Sequence, residues 1–202
     1  MPKPIILTLF ITFGLSGYSQ DIQARLDLFR ANEHIDTFLV YSQPCSGGLI
    51  TDSCSIEDTH YLFWTKNNNF FLKRFDYCQT FKPLALDTSN PLAFYLKNRK
   101  QIDKEEILPP SRYEFKKHGN ITDTLILSSF VDHSCYHTFA LPFSKKPKYK
   151  SVDSYNLNFE KFENGRRNIY YTHNQKTKLK TLIDLTTVLI NKCKTMGMFK
   201  PG

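Results

Sequence analysis

Two aromatic runs on either side of three asparagines constrain the fold of this chain more than any other feature. Residues 60–66 and 70–77 are rich in the aromatic and branched residues that favour β-strands. Between them, Asn67, Asn68 and Asn69 tolerate the positive φ angles that a tight turn needs. The segment therefore predicts a β-hairpin, and because its first run is apolar on both faces, we expect that strand to lie inside a sheet.

One helix is predicted before this hairpin and another after it. Asp21 can cap a short helix at the start of the mature chain. Further on, Asn90 and Pro91 combine a capping side chain with a proline at the first helical position. The residues of this second helix that we expect to face the core are Leu92, Tyr95 and Leu96.

The last segment of the chain has the clearest helical periodicity. Apolar or small residues recur there at steps of three and four, which is typical of an amphipathic helix packed on a core. They are Leu179, Leu182, Ile183, Thr186, Leu189, Ile190 and Cys193. Because Lys176, Lys178 and Lys180 near its start oppose the helix dipole, we expect tertiary packing to stabilise this helix.

The remaining strand-like segments complete an α+β pattern. They cover residues 35–41, 121–127 and 130–143, together with a second hairpin of residues 156–162 and 167–172 that turns at Gly165. We therefore predict one domain over residues 20–202. Its mainly antiparallel sheet has about six or seven strands, and the C-terminal helix packs on it.

The first 19 residues have the three parts of a secretory signal. A start containing Lys3 precedes an apolar run of about 11 residues, which is shorter than the roughly 20 that a membrane span needs. Gly17 and Ser19 then fit the small positions before a cleavage ahead of Gln20. Residues 1–19 therefore predict a signal peptide and a secreted or periplasmic protein, with an uncleaved anchor as the alternative.

The chain is basic, with a formal charge of +8 that becomes +7 when the signal peptide removes Lys3. Such a charge favours anionic partners such as an anionic polymer or an envelope surface. Arg166 and Arg167 precede two tyrosines and a histidine, so they are candidate anion-binding residues. The alternative is that they are solvated residues of the turn at Gly165.

Five cysteines remain in the mature chain, and an odd number leaves at least one unpaired. Exported cysteines tend to form disulfides. The glycines that follow Cys45 favour a bond to Cys54, and a bond between Cys78 and Cys135 is the next choice, which leaves Cys193 free. The sequence does not fix this connectivity.

Residues 132–137 hold the densest group of reactive side chains. On a strand, His133, Cys135 and His137 point to one face and could bind zinc while leaving a position open for water. Cys135 could instead act as a nucleophile with a histidine from elsewhere in the chain as its base. The competing interpretation is that the histidines are half-buried structural residues and that Cys135 belongs to a disulfide.

No motif with a specific chemical mechanism or cofactor was found in the sequence. The sequence therefore favours a non-enzymatic binding or interaction protein of the cell envelope or extracellular space. The alternative is a small secreted metal-assisted hydrolase that acts on an anionic polymer, with the histidines of residues 132–137 at its centre.

Overall fold

The computed structural model describes residues 22–46, 59–76, 79–88, 90–141 and 148–202. The predicted signal peptide, residues 1–19, and the capping residue Asp21 lie outside these ranges. Cys54 and Cys78 lie outside them as well.

One six-stranded antiparallel sheet organises the described residues. Its strands are β1 (Phe38–Ser42), β2 (His60–Lys66), β3 (Asn69–Phe75), β4 (Leu84–Leu86), β7 (Tyr136–Leu141) and β8 (Lys148–Asp153). They lie in the order β4-β3-β2-β1-β7-β8, so β2 has a neighbour on each side, as its two apolar faces predict. A separate hairpin consists of β5 (Ser111–His118) and β6 (Ile121–Ser128).

The aromatic hairpin is confirmed. Its strands pair in register from His60 opposite Phe75 to Lys66 opposite Asn69. The two-residue loop between them has φ angles of 51° at Asn67 and 61° at Asn68, a conformation that asparagine adopts more readily than most residues. The local sequence therefore determines this turn.

Helices cover both faces of the sheet and bury its alternating side chains. Helices α2 (Pro91–Ile102) and α5 (Lys178–Thr195) contribute to the larger core, while α1 (Ile22–Asn32) packs against the smaller one. On β2, Phe63 belongs to the larger core and Trp64 to the smaller core, as alternation along a strand requires. The predicted α+β class, with a mainly antiparallel sheet and a C-terminal helix packed on it, is confirmed.

The predicted cap of α2 is present, but one of its predicted core residues is not buried. The side chain of Asn90 accepts a hydrogen bond from the Ala93 N–H at 3.1 Å. Leu92 and Tyr95 are fully buried, whereas Leu96 is exposed. The buried stripe of this helix runs through Leu92, Tyr95 and Ile102, and Leu96 lies at its edge.

The prediction of a second hairpin is wrong. Residues 154–175 contain two short helices, α3 (Ser154–Asn158) and α4 (Tyr171–Gln175), and only Lys161 and Arg167 form a strand-like bridge between them. Buried asparagines satisfy the backbone here instead of a strand ladder. Asn168 accepts from the Ser111 N–H at 3.0 Å, and Asn174 both accepts from and donates to the backbone of Leu108.

The strand predicted over residues 130–143 is shorter in the structure. Strand β7 begins at Tyr136, and the residues before it are bends tied by hydrogen bonds between Ser46 and Ser134. The sequence pattern of β5 does not predict a strand, because most of its residues are polar or basic. At the first residue of this strand, the Ile169 N–H donates to the Ser111 carbonyl at 2.9 Å.

Candidate functional site

A groove of about 1040 Å³ opens where the start of β7, helix α3 and helix α5 meet. His133, Cys135 and His137 all line it. The structure therefore brings the three candidate metal ligands to one groove, although their individual environments differ from those that a metal site requires.

Cys135 is bonded to Cys45 in a disulfide. The predicted pairs Cys45 with Cys54 and Cys78 with Cys135 are therefore wrong. The bond joins the residues after β1 to the residues before β7, and these two strands are neighbours in the sheet. Sheet pairing between distant parts of the chain thus determines the partner of Cys45, which lies 90 residues away. Cys193 is free and buried, in agreement with the prediction that it is unpaired.

The disulfide changes what the three predicted ligands can do. A disulfide sulfur is neither a thiolate ligand nor a nucleophile, so the proposed roles of Cys135 in zinc binding and in catalysis are wrong. His133 is exposed at the rim of the groove, whereas His137 is buried. Within the described ranges, no group of three or more histidine, cysteine, aspartate or glutamate residues is placed to hold a metal ion.

His137 forms a neutral hydrogen-bonded pair with Tyr41 below the groove. The imidazole is 7% exposed, and its Nδ1 lies 2.8 Å from the Tyr41 hydroxyl. Burial lowers the pKa of His137, although the Asp184 carboxylate opposes this shift. Burial also raises the pKa of Tyr41 to about 12, so the phenol keeps its proton at neutral pH. The pair is therefore uncharged under physiological conditions.

One ion pair lies on the helical wall of the groove. Lys180 and Asp184 are one turn apart on α5, and the Lys180 ammonium is 2.7 Å from both carboxylate oxygens. They were not predicted from the sequence as a pair, although a lysine and an aspartate four residues apart on a helix are a recognisable pairing signal. They offer one positive and one negative group to a bound molecule.

Polar side chains also order the other wall of the groove. Ser134 donates a hydrogen bond to Asp153, and the same carboxylate caps α3 by accepting from the Tyr155 N–H at 2.8 Å. Ser46 in turn accepts from the Ser134 N–H at 3.0 Å. These contacts hold the start of β7 against α3, which fixes the shape of the groove.

Apolar side chains make up much of the remaining lining. They are Val131, Leu157, Phe159, Ile183 and Val188. Val188 is 67% exposed, so part of this apolar surface faces solvent. A mixed lining of this kind suits a ligand that has both apolar and polar parts.

The two predicted anion-binding arginines lie away from the groove. The Arg166 guanidinium donates to the Tyr113 carbonyl at 3.2 Å, which helps to close the edge of β5. Arg167 is exposed and forms a backbone bridge with Lys161. The structure therefore gives Arg166 a role in stabilising the fold and brings neither arginine to the candidate site.

Comparison with known proteins does not assign this site. No protein-family model, curated protein or solved structure matches the chain. Among the described residues, no helix is long and apolar enough to cross a membrane. The function must therefore be inferred from the chemistry of the groove itself.

Proposed function

We propose that this chain is an exported, non-enzymatic binding protein whose ligand lies in the groove between β7, α3 and α5. The groove itself carries the proposal, since its volume of about 1040 Å³ is sufficient for a small molecule. Its exposed apolar wall favours a ligand with an apolar part, and the Lys180–Asp184 pair offers polar contacts at the same wall.

Export is supported by two independent features. Residues 1–19 have the pattern of a cleavable signal peptide. The disulfide between Cys45 and Cys135 is compatible with an oxidising compartment such as the periplasm or the extracellular space. The basic charge of the mature chain further supports an anionic polymer or envelope surface as a neighbour of the protein.

The alternative of a metal-assisted hydrolase has less support. Its sulfur ligand is in the disulfide, and of the two histidines only His133 is exposed. His137 uses Nδ1 for its hydrogen bond to Tyr41, so only Nε2 would be left for a ligand. A binding function needs none of these groups to be reactive.

Nile red, a neutral dye that fluoresces in apolar surroundings, tests the proposed groove. We expect the purified mature protein to raise its fluorescence in a saturable manner. Val188→Asp should weaken dye binding about tenfold or more because it places a charge on the apolar wall of the groove. Leu28→Asp is the matched control, since Leu28 is also exposed but lies on α1, outside the groove.

Two results would contradict the proposal. Equal loss of dye binding in both variants would mean that the dye reports general surface hydrophobicity. The second result is cleavage of DNA that requires zinc. If this activity disappears in the His137→Gln variant and persists in the Leu28→Asp variant, it would support the metal-assisted hydrolase instead.

A further inference from the structure

Strand β6 is exposed to solvent along most of its length. The side chains of residues 122–128 are all exposed. Three of them are consecutive apolar residues, with Leu125 at 37%, Ile126 at 52% and Leu127 at 38% exposure. A run of exposed apolar residues in a strand is typical of a contact surface and not of a solvated strand.

Hydrogen bonds show which edge of β6 faces away from β5. The Ser129 N–H donates to the Pro110 carbonyl at 2.8 Å, so Ser129 lies on the side of its strand that bonds to β5. Because backbone groups alternate along an antiparallel strand, the even-numbered residues of β6 direct theirs to the opposite edge. Among the described residues, β5 is the only strand that pairs with β6. The outward-facing residues are Thr122, Thr124, Ile126 and Ser128.

Other strand edges of the molecule carry features that discourage pairing between proteins. At the ends of the six-stranded sheet, β4 has only three residues, and β8 carries Lys148 and Lys150. Short length and lysine side chains both protect an edge. On β5, the Tyr113 carbonyl accepts from Arg166, and Lys117 lies further along the same edge. Strand β6 has eight residues without lysine, arginine or proline and pairs with β5 without a bulge, so its edge lacks such protection.

The sequence of β6 is complementary to itself in an antiparallel arrangement. If two copies are centred on Leu125, the two Leu125 side chains meet at the centre. Thr122 then lies opposite Ser128 of the second copy, and Thr124 lies opposite Ile126 of the second copy. Apolar pairs and pairs of hydroxyl side chains are favourable across strands. This register also pairs the outward-facing residues of one copy with those of the other, as a hydrogen-bonded ladder requires.

The charges of the hairpin do not oppose this pairing. Asp123 is the only charged residue in the sequence of β6. In the register centred on Leu125, it lies opposite Leu127 of the second copy, so the two aspartates are roughly 13 Å apart along the strands. That distance exceeds the Debye length of about 8 Å at physiological salt. Within each copy, Lys116 lies directly opposite Asp123 and offsets its charge.

We infer that β6 is a dimerisation edge, where a second copy of this chain pairs antiparallel about Leu125 and joins the two hairpins into one four-stranded sheet. The contact uses the same edge of both copies, so it closes after two copies. A single pair of strands buries less than the roughly 800 Å² per partner of a standard interface, so the dimer is reversible, with a dissociation constant in the micromolar range. Strand β6 does not line the groove, so the inference does not depend on the proposed function.

Sedimentation of the purified mature protein over a dilution series tests the dimer. We expect a reversible equilibrium between monomer and dimer. Ile126→Lys should raise the dissociation constant about tenfold or more, because it places a charge on the outward-facing edge. Phe115→Lys is the matched control, since Phe115 is 62% exposed on the same face of the hairpin but belongs to β5. Its dissociation constant should stay within about threefold, and both variants should keep their melting temperature because both positions are exposed.

Cysteine substitution tests the register. In the proposed dimer the two Leu125 Cα atoms are about 4.5 Å apart, which a disulfide can span, so Leu125→Cys should link two copies under mild oxidation. Thr122→Cys is the control, because Thr122 is exposed on the same strand but would lie about 20 Å from Thr122 of the second copy. We expect links through position 125 to form at least about tenfold faster than links through position 122. Peptide mapping by mass spectrometry distinguishes both from links through native cysteines.

Three results would overturn the inference. A protein that stays monomeric throughout the dilution series would show that β6 does not pair with a second copy. Equal weakening of the dimer in Ile126→Lys and Phe115→Lys would mean that the contact uses the exposed face of the hairpin and not its edge. Equal rates of linking through positions 122 and 125 would exclude the register centred on Leu125.

Discussion

At the residue scale, the most informative contact is the hydrogen bond between Tyr41 and His137. Tyr41 comes from β1 and His137 from β7, and these strands are adjacent in the sheet. Both side chains are buried, and burial favours the uncharged form of each. The pair therefore functions as a neutral structural unit beneath the groove, and its stability depends on pH.

His137 should make the protein less stable in acid. The pKa of His137 in the folded state lies below its ordinary value of 6.5, so the unfolded chain binds the proton more readily. Its contribution to stability is present above about pH 6.5 and is lost as the pH falls through that value toward the lower folded pKa. The free energy of unfolding in urea should therefore be lower at pH 5.5 than at pH 7.5. This difference should be smaller in the His137→Gln variant than in the unsubstituted protein.

The size and specificity of this effect can be checked. One proton accounts for at most about 1.4 kcal/mol for each pH unit. His133→Gln is the control, because it removes an exposed histidine from the same groove. An equal change in both variants would show that the burial of His137 is not the cause.

At the element scale, helix α5 connects the core to the groove. One face of it buries Leu182, Ile183 and Ile190 against the sheet. Residues of the same helix also line the groove. Thr177 caps its start by accepting from the Lys180 N–H at 3.0 Å, which offsets the lysines in its first turn. Packing of this one helix therefore determines the shape of one wall of the groove.

Two leucines on α5 offer a direct test of this packing. Leu182 is fully buried, whereas Leu185 is 36% exposed. We expect Leu182→Ala to lower the unfolding free energy by about 2 to 5 kcal/mol, because it leaves a cavity in the core. Leu185→Ala should cost less than about 1 kcal/mol. Chemical denaturation of both variants measures the difference, and similar losses would contradict the orientation of the helix.

At the scale of the whole molecule, the disulfide joins parts of the chain that are far apart in sequence. Cys45 and Cys135 are separated by 90 residues, and the loop between them contains β2 to β6 and helix α2. A bond that closes so long a loop removes much conformational freedom from the unfolded chain. It also holds the start of β7 beside the end of β1, where the groove is formed.

Loss of this bond should therefore destabilise the protein strongly. We expect replacement of Cys45 and Cys135 together by serine to lower the unfolding free energy by about 3 to 5 kcal/mol. Reductant should lower the stability of the unsubstituted protein and leave the double variant unaffected. Cys193→Ala serves as a control, since Cys193 is free and the variant should keep its sensitivity to reductant. A double variant that still loses stability in reductant would point to a different bond.

The candidate site was predictable only in part. Residues 132–137 were identified from their reactive side chains, and the groove contains His133, Cys135 and His137. Nothing in the sequence indicates that Tyr41 contacts His137, because the two residues are 96 positions apart and meet only through strand pairing.

Features that depend on residues close together in the chain could be predicted from the sequence. The turn at Asn67 and Asn68, the cap at Asn90 and the periodicity of α5 each depend on a single local segment. The partner of Cys45 and the short helices within residues 154–175 could not be predicted in this way. Those outcomes depend on which strands become neighbours and on which side chains reach the buried backbone, and both are set by packing between segments that are distant in sequence.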